Sequence, residues 1–385
     1  MKFFKEFVLP VSLLSGTIIG AGIFSLPYVF LKAGIGLGFL SLILFGLIYV
    51  LIHLMYADVV IKNGNNHRFA GLAKIYFGKV GYWFSVIMTI VEMFFVLAIY
   101  LILSSSFVSL VFPNFPSFYQ VIFFWIIGSV IIFSGTKRVA FLEYLALLAI
   151  LFAVGIVVWI GLPKFFDKEM NFVSFEWAYW LLPFGPLLFS LSGRPSIPTL
   201  THYFERNSLS YKSIKKSIVW GTVIPVLVYG LFVAGVIGMS DVITLDSISG
   251  IVRAIPLSYL VFFLGLLGAI SLLSSYFAIG LDVLNSLRYD LYFSKIVSGL
   301  LVIFVPILIY FSNIGSFITL IEIAGGIFVS LEGILIVAMW NKERKNLIKE
   351  ESALTPYVGK FTRGILYLVF LISIIYVLSQ AIFRF

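Results

Sequence analysis

No cysteine occurs anywhere in the 385 residues, so disulfides, thiolate metal sites and cysteine nucleophiles are excluded outright. Histidine is almost as scarce, and His53, His67 and His202 are too scattered to suggest a zinc site. Charge is the third shortage. Asp, Glu, Lys and Arg make up 11% of the chain, against about a quarter in an ordinary soluble domain, and no water-soluble surface can be built from so few. Enzyme signatures are missing as well: there is no HExxH, no GxSxG elbow and no pair of catalytic aspartates. An enzyme is therefore not expected, and neither is a bound cofactor.

What is present is apolar. Hydrophobic residues reach 61%, with 41 Phe and 32 Gly, and mean hydropathy is +1.12. Runs long enough to cross a hydrocarbon core, about 20 residues each, lie near 8–30, 34–61, 81–110, 118–134, 139–161, 177–201, 214–239, 256–285, 294–312, 316–340 and 363–382. Continuous Phe, Leu, Ile and Val runs contradict the alternating strands of a membrane barrel, so an all-α polytopic protein of 11 transmembrane helices is expected, forming one domain over 1–385. Lys2 and Lys5 precede the first run as in a signal peptide, but the run continues past signal length and others follow, which reads as a retained first span.

Basic residues collect in cytoplasmic connections. Of the 26 Lys and Arg residues, Arg194 falls within a crossing and only Lys32, Lys164, Lys168, Arg253 and Arg384 fall on one side; the others gather opposite. This places the N-terminus in the cytoplasm and, with an odd number of crossings, the C-terminus outside an inner or plasma membrane. The net charge of +9 then reflects topology and anionic headgroups rather than nucleic acid.

Two crossings cannot be regular helices. The first contains Gly16-Thr17-Ile18-Ile19-Gly20-Ala21-Gly22-Ile23-Phe24-Ser25-Leu26-Pro27; the sixth runs from Pro183 to Pro198 through Gly185, Pro186, Gly193, Arg194 and Pro195. Glycine costs helix stability and proline removes a donor. Both lead consecutive groups of five crossings, and paired Gly/Pro interruptions point to a repeat-built transporter with its site at mid-membrane. An unwound turn in lipid exposes N–H and C=O groups that must face protein, water or ligand, and an amino-acid zwitterion complements both. Free N–H groups around Gly20, Ala21, Gly22 and Ile23 suit a carboxylate at a helix start, while freed carbonyls near Phe189, Ser192 and Gly193 suit an ammonium. Glycines that merely allow close helix packing are the competing account.

At these residues the sequence resembles the amino acid/polyamine/organocation superfamily, within it the tryptophan/tyrosine-type and auxin-type permease branch. GTIIGAGIFSLP (16–27) is similar to the first-helix signature; ADVVIKNGNNHRFAGLAKIYFGK (57–79), with Asp58, to the end of the second helix; PSIPTLTHYF (195–204) and IAGGIF (323–328) to the sixth and tenth. Arg194 stands where such permeases commonly have histidine. The resemblance covers nearly the whole chain and implies alternating access by a five-plus-five inverted repeat, 8–161 and 177–340, with 363–382 as an accessory eleventh helix. Sodium-coupled members of this fold bind the ion with two carbonyls of the broken first helix and a carbonyl and two hydroxyls of the eighth. Gly16, Ile19, Ser271, Ser274 and Ser275 match that pattern here, and an uncharged oxygen cage suits Na⁺ better than Mg²⁺. Serines bonding back to their own helix are the alternative.

Ionisable residues inside a membrane are costly and are candidates for function. Arg194 is placed to contact substrate, to pair with an acid or to gate. Glu92, halfway along the third crossing, is a proton site, a partner for Arg194 or a helix bridge. Glu322 and Glu332 are ten residues apart, about three turns, and cannot form one carboxylate pair. Glu143 and Asp282 lie nearer the cytoplasm, as structural or gating groups, and His53 reads as a satisfied packing residue. Tyr100 and Phe189 are candidate walls for a substrate side chain. The expected function is a secondary amino-acid transporter, coupled to Na⁺ or, alternatively, to H⁺ at Glu92, Glu322 or Glu332. An amino-acid-sensing receptor of the same fold would need a partner protein, and no obligatory partner is evident.

Overall fold

In the computed structural model the described residues are 3–64, 67–134, 139–168, 176–207, 209–240, 242–248, 250, 255, 258–349, 354–355 and 358–383, the side chains of 133–134, 139–146, 211, 258, 345–349 and 383 apart. Lys137, Arg138, Arg253 and Arg384, used above for topology, and the side chain of Glu143 lie outside them. Among the described residues every regular element is helical.

The broken first crossing is α1 (Leu9–Ile18), a 3-10 turn (Ala21–Ser25) and α2 (Leu26–Ala33). Then follow α3 (Ile35–Lys62), α4 (Phe69–Val111), α5 (Ser117–Ser134) and α6 (Val139–Asp167). The sixth run divides into α7 (Phe184–Leu191) and α8 (Ser196–Arg206), and the remainder comprises α9 (Tyr211–Met239), α10 (Ser258–Tyr289), α11 (Lys295–Phe311), α12 (Phe317–Ile323), α13 (Ser330–Lys349) and α14 (Lys360–Phe383). Among the described residues seven helices are long and apolar enough to cross a membrane, or eight if the bent pair Phe4–Ile18 and Ala21–Ala33 is one span. Two shorter apolar helices, Ser117–Ile132 and Lys295–Phe311, occupy the places of the fourth and ninth expected crossings.

Burial follows helical spacing even where every residue is apolar. On α3, Leu42, Phe45, Tyr49, Ile52 and His53 are buried, whereas Leu40, Ile43, Leu44 and Leu47 are exposed. A stripe recurring every three or four residues turns inward and the opposite stripe turns to lipid. The 43-residue α4 bends at Gly78, where φ is 68°, a backbone region that glycine enters without steric cost.

Inside the bundle α10 lies against α4 and α6, α6 against α9, and α9 against α1. Where α6 crosses α9, a Cβ on Gly235 would stand 2.9 Å from the Val157 carbonyl oxygen, so a side chain there would force the helices apart. Small residues at such crossings bring the backbones together, and dispersion supplies the attraction that lipid cannot. The tenth expected crossing is continuous over Phe317–Arg344 but carries a π-helical stretch, Ala324–Val329, between α12 and α13.

Candidate substrate and ion site

The break in the first crossing is local and sharp. Ile19 is extended at φ −73° and ψ 98°, Gly20 is extended at φ −142° and ψ −155°, and the two halves meet at a 49° bend. The opening N–H groups of the following 3-10 turn have no acceptor within it, except that Ile23 N–H reaches back to the Gly20 carbonyl over 3.4 Å. Ser25 Oγ donates to the Gly22 carbonyl at 2.6 Å. In the sixth run the chain leaves the helix at Ser192 (φ −69°, ψ 117°) and re-enters it at Pro195.

The two interruptions touch. A Cβ on Gly22 would lie 2.8 Å from Ser190 Cα, too close for any side chain. Side chains from neighbouring helices serve the carbonyls that the breaks release. Tyr229 of α9 places its hydroxyl 2.6 Å from the Ile18 carbonyl and 2.8 Å from that of Ser190; Tyr49 of α3 donates to the Leu188 carbonyl at 2.5 Å. His53, satisfied as expected, contacts both Thr222 and the Gly193 N–H.

Beside the first break is a cavity with about 750 Å³ of empty space, counting the part that opens to solvent. Ile19, Gly20, Ala21, Tyr100, Ser271 and Ser275 line it. Its wall is otherwise apolar, with Phe24, Phe107, Phe232 and Leu264 prominent. The structure thus brings together much of the expected set. Gly22 and Ile23 are buried in the adjoining turn, and Phe189 packs against the core beside the second break. Gly16 faces Leu147 of α6, whose Cδ2 would stand 3.1 Å from an added Cβ. Ser274 is buried, and its hydroxyl has no hydrogen-bond partner among the described residues, unlike Ser104 and Ser190, which bond back to their own helices.

Arg194 points elsewhere. Its Nε and Nη2 each lie 2.7 Å from a different oxygen of Glu332 on α13, a bidentate fork, and Nη2 is 3.9 Å from Glu92 of α4. The guanidinium also lies 4.7 Å from the centre of the Phe69 ring. Arg194 and Glu332 line a second, smaller cavity of about 260 Å³, together with Tyr49, His53 and Ser192. Glu322, on α12, is buried, its backbone lying against Gly185; Asp282 sits late on α10, partly buried. Neither lines either cavity. Sequence reasoning missed Tyr49, Tyr229, Thr222 and the Phe24–Phe107–Phe232 wall. Among 20 tyrosines and 41 phenylalanines, no local signal separates these from the rest.

Paired helix breaks flanking a cavity in an apolar bundle define a transporter architecture, and solved structures agree on the fold. The chain superposes on MhsT in complex with L-phenylalanine with a TM-score of 0.64 at 17% identity, covering 97% of this chain and 98% of that one. On Mhp1, a nucleobase-cation-symport-1 family transporter in a closed conformation with bromovinylhydantoin bound, the TM-score is 0.63 at 13% identity, covering 98% and 93%. The chain belongs to the tryptophan/tyrosine permease family, whose model matches residues 4–380. Tyrosine-specific transport system 1 of Haemophilus influenzae is 24% identical over 86% of this chain and 87% of its own length; system 2 is 25% identical over 81% and 82%. The protein is thus a multi-pass amino-acid permease and not an enzyme.

Proposed function

We propose that this permease carries an aromatic amino acid by alternating access and couples it to Na⁺. The observation that carries the reading is the cavity beside the first break, in which the unwound backbone at Ile19–Ala21 meets an aromatic wall and the serines of α10. The substrate carboxylate sits on the N–H groups opening the 3-10 turn at Ala21 and Gly22, and on that of Ile23 once it gives up its 3.4 Å contact with the Gly20 carbonyl, where the helix dipole favours an anion. The ammonium faces carbonyls released by the second break, between Phe189 and Gly193. Phe24, Tyr100, Phe107 and Phe232 receive the ring, in keeping with the tyrosine specificity in the names of the two relatives.

For the ion, support comes from Ser271 and Ser275 lining the same space as Ile19 and from the unpartnered hydroxyl of Ser274. With the carbonyls of Gly16 and Ile19 they make an oxygen set suited to Na⁺. Eleven crossings follow if each broken run is one span and the two shorter apolar helices also cross, giving the inverted repeats 8–161 and 177–340 plus 363–382. The charge asymmetry then sets the N-terminus in the cytoplasm and the C-terminus outside the cell membrane.

A specific observation supports a second reading, H⁺ coupling. Glu92 and Glu332 face one guanidinium, so the buried cluster bears an uncompensated negative charge unless one carboxyl is protonated, and such a charge is costly in lipid. Uptake into proteoliposomes from a mixed amino-acid panel, under imposed Na⁺ and H⁺ gradients, tests the proposal. Accumulation of aromatic amino acids that collapses without Na⁺ is the expected result. Uptake driven fully by a pH gradient in Na⁺-free buffer decides for the proton.

A further inference from the structure

The unwound turn of the sixth run has to hold its shape without helical hydrogen bonds, and a single side chain from another crossing supplies the missing partner. The Gly193 N–H donates to His53 Nε2 at 3.1 Å. Nδ1 of the same ring lies 2.9 Å from Thr222 Oγ1, and Thr222 in turn donates its hydroxyl to the Ile218 carbonyl at 2.9 Å. These contacts fix every proton in the chain. A backbone N–H can only donate, so Nε2 must present its lone pair. The one hydroxyl proton of Thr222 is committed to Ile218, so Nδ1 must carry the ring proton. A neutral Nδ1–H imidazole satisfies all three contacts; the Nε2–H tautomer and the imidazolium would each set two hydrogens against one another at Gly193.

The same glycine is blocked on its other side. A Cβ there would lie 2.8 Å from Ile18 Cγ1 and from Leu14 Cδ1, and 3.1 Å from His53 Nε2. The turn is therefore gripped between the first crossing and His53, which is itself 1% exposed. Tyr49, Arg194 and Glu332 line the cavity that His53 adjoins; the arginine further disfavours an imidazolium there, while the Arg194–Glu332 fork occupies the carboxylate that would favour one.

We propose that His53 is a positioning residue for transport: as the Nδ1–H tautomer it links α9, through α3, to the unwound turn at Gly193 and so sets the geometry that the substrate meets. The proposal rests on the reading that this turn contributes to the amino-acid site. Glutamine can place an amide oxygen near the position of Nε2 and accept from Gly193, whereas leucine fills the space and cannot accept. Leaving a buried N–H unpaired costs about 1–3 kcal/mol, equivalent to a factor of roughly 5 to 140 in an equilibrium constant.

The test compares wild type, His53→Leu and His53→Gln in proteoliposomes with L-tyrosine as probe, together with the ¹⁵N spectrum of histidine-labelled wild-type protein. His67 and His202 are exposed, so the buried ring is recognisable as the signal that His53→Gln removes. Expected are an Nδ1–H signature, a rise in KM on the order of tenfold for His53→Leu with a smaller change in Vmax, and recovery of most of that loss in His53→Gln. An Nε2–H or doubly protonated ring overturns the proposal, as does an unchanged KM in His53→Leu or an equal KM rise in both variants. If wild-type vesicles carry no L-tyrosine, the aromatic reading fails alone. The His53 proposal is then decided by the spectrum and by the thermal stabilisation each variant gains from whichever panel amino acid stabilises wild type.

Discussion

Tyr229 has one hydroxyl proton and two carbonyls within reach, those of Ile18 and Ser190, so at any moment one of the two lacks its full partner. Both belong to helix ends, where an ammonium group could complete them. Tyr229→Phe is expected to lower thermal stability by about 1–3 kcal/mol through two buried carbonyls left short of a donor. Added L-tyrosine should restore part of this loss, giving a larger ligand-induced Tm shift than in wild type; an equal shift in both proteins removes these carbonyls from the ammonium site. Gly22 is more restrictive still, since Ser190 Cα leaves no room for a Cβ. Gly22→Val is expected to abolish binding in a protein that still folds, because α1 and α2 remain intact on either side. Wild-type affinity in a folded Gly22→Val protein would take the first break out of the site.

Pairs of elements are joined by buried polar side chains, and each joint has a distinct cost. The fork between Arg194 and Glu332 ties the sixth run to α13. Removing one partner of such a pair strands the other, a loss of about 3–5 kcal/mol, although replacing both by apolar groups can be neutral. Arg194→Met alone leaves Glu332 and Glu92 buried without their guanidinium, and should therefore destabilise the detergent-solubilised protein more than Arg194→Met combined with Glu332→Leu, as read by Tm. If the double variant is the less stable, the fork is a net source of stability.

Near the C-terminal end of α3, Asp58 accepts from Trp340 Nε1, from the backbone N–H groups of Leu354 and Thr355, and from Thr355 Oγ1. It thereby fastens the connection between α13 and α14 to the second expected crossing. Asp58→Asn presents a single acceptor oxygen in place of two. Faster hydrogen exchange at Leu354 and Thr355 is the expected consequence, with exchange along α10 unchanged; uniform acceleration would instead mean global loosening.

At the scale of the molecule, coupling is a linkage between two ligands. If Na⁺ strengthens amino-acid binding, the amino acid strengthens Na⁺ binding by the same factor. Ser274→Ala with Ser275→Ala should abolish that mutual effect while changing stability little, since alanine is a good helix former. Titration calorimetry with each ligand in the presence of the other measures both sides. A coupling factor that survives the double change argues against the serine cage and returns attention to Glu92 and Glu332. Topology can be read on the same cysteine-free background: Lys79→Cys should label only from the cytoplasmic face, and Lys164→Cys only from outside.

Membrane class, the two interruptions and the family follow from composition and local order alone. A chain 11% charged has no soluble solution, and a run such as Gly20-Ala21-Gly22 or Gly193-Arg194-Pro195 disrupts a helix whatever surrounds it. Gly20 and Ala21 could be named as candidates because a glycine break is a local signal, whereas Ser271 and Ser275 share a helical face but owed their role to the resemblance to sodium-coupled members of the fold. Which buried groups meet was decided only in three dimensions. Arg194 is 138 residues from Glu332, and His53 is 140 from Gly193 and 169 from Thr222. Pairing across such distances depends on the rotation and depth of whole helices, which packing sets. Local sequence dictates where a backbone must open; the surrounding helices determine which side chain closes each opening, because an unpaired group in lipid takes whatever partner the packed bundle presents.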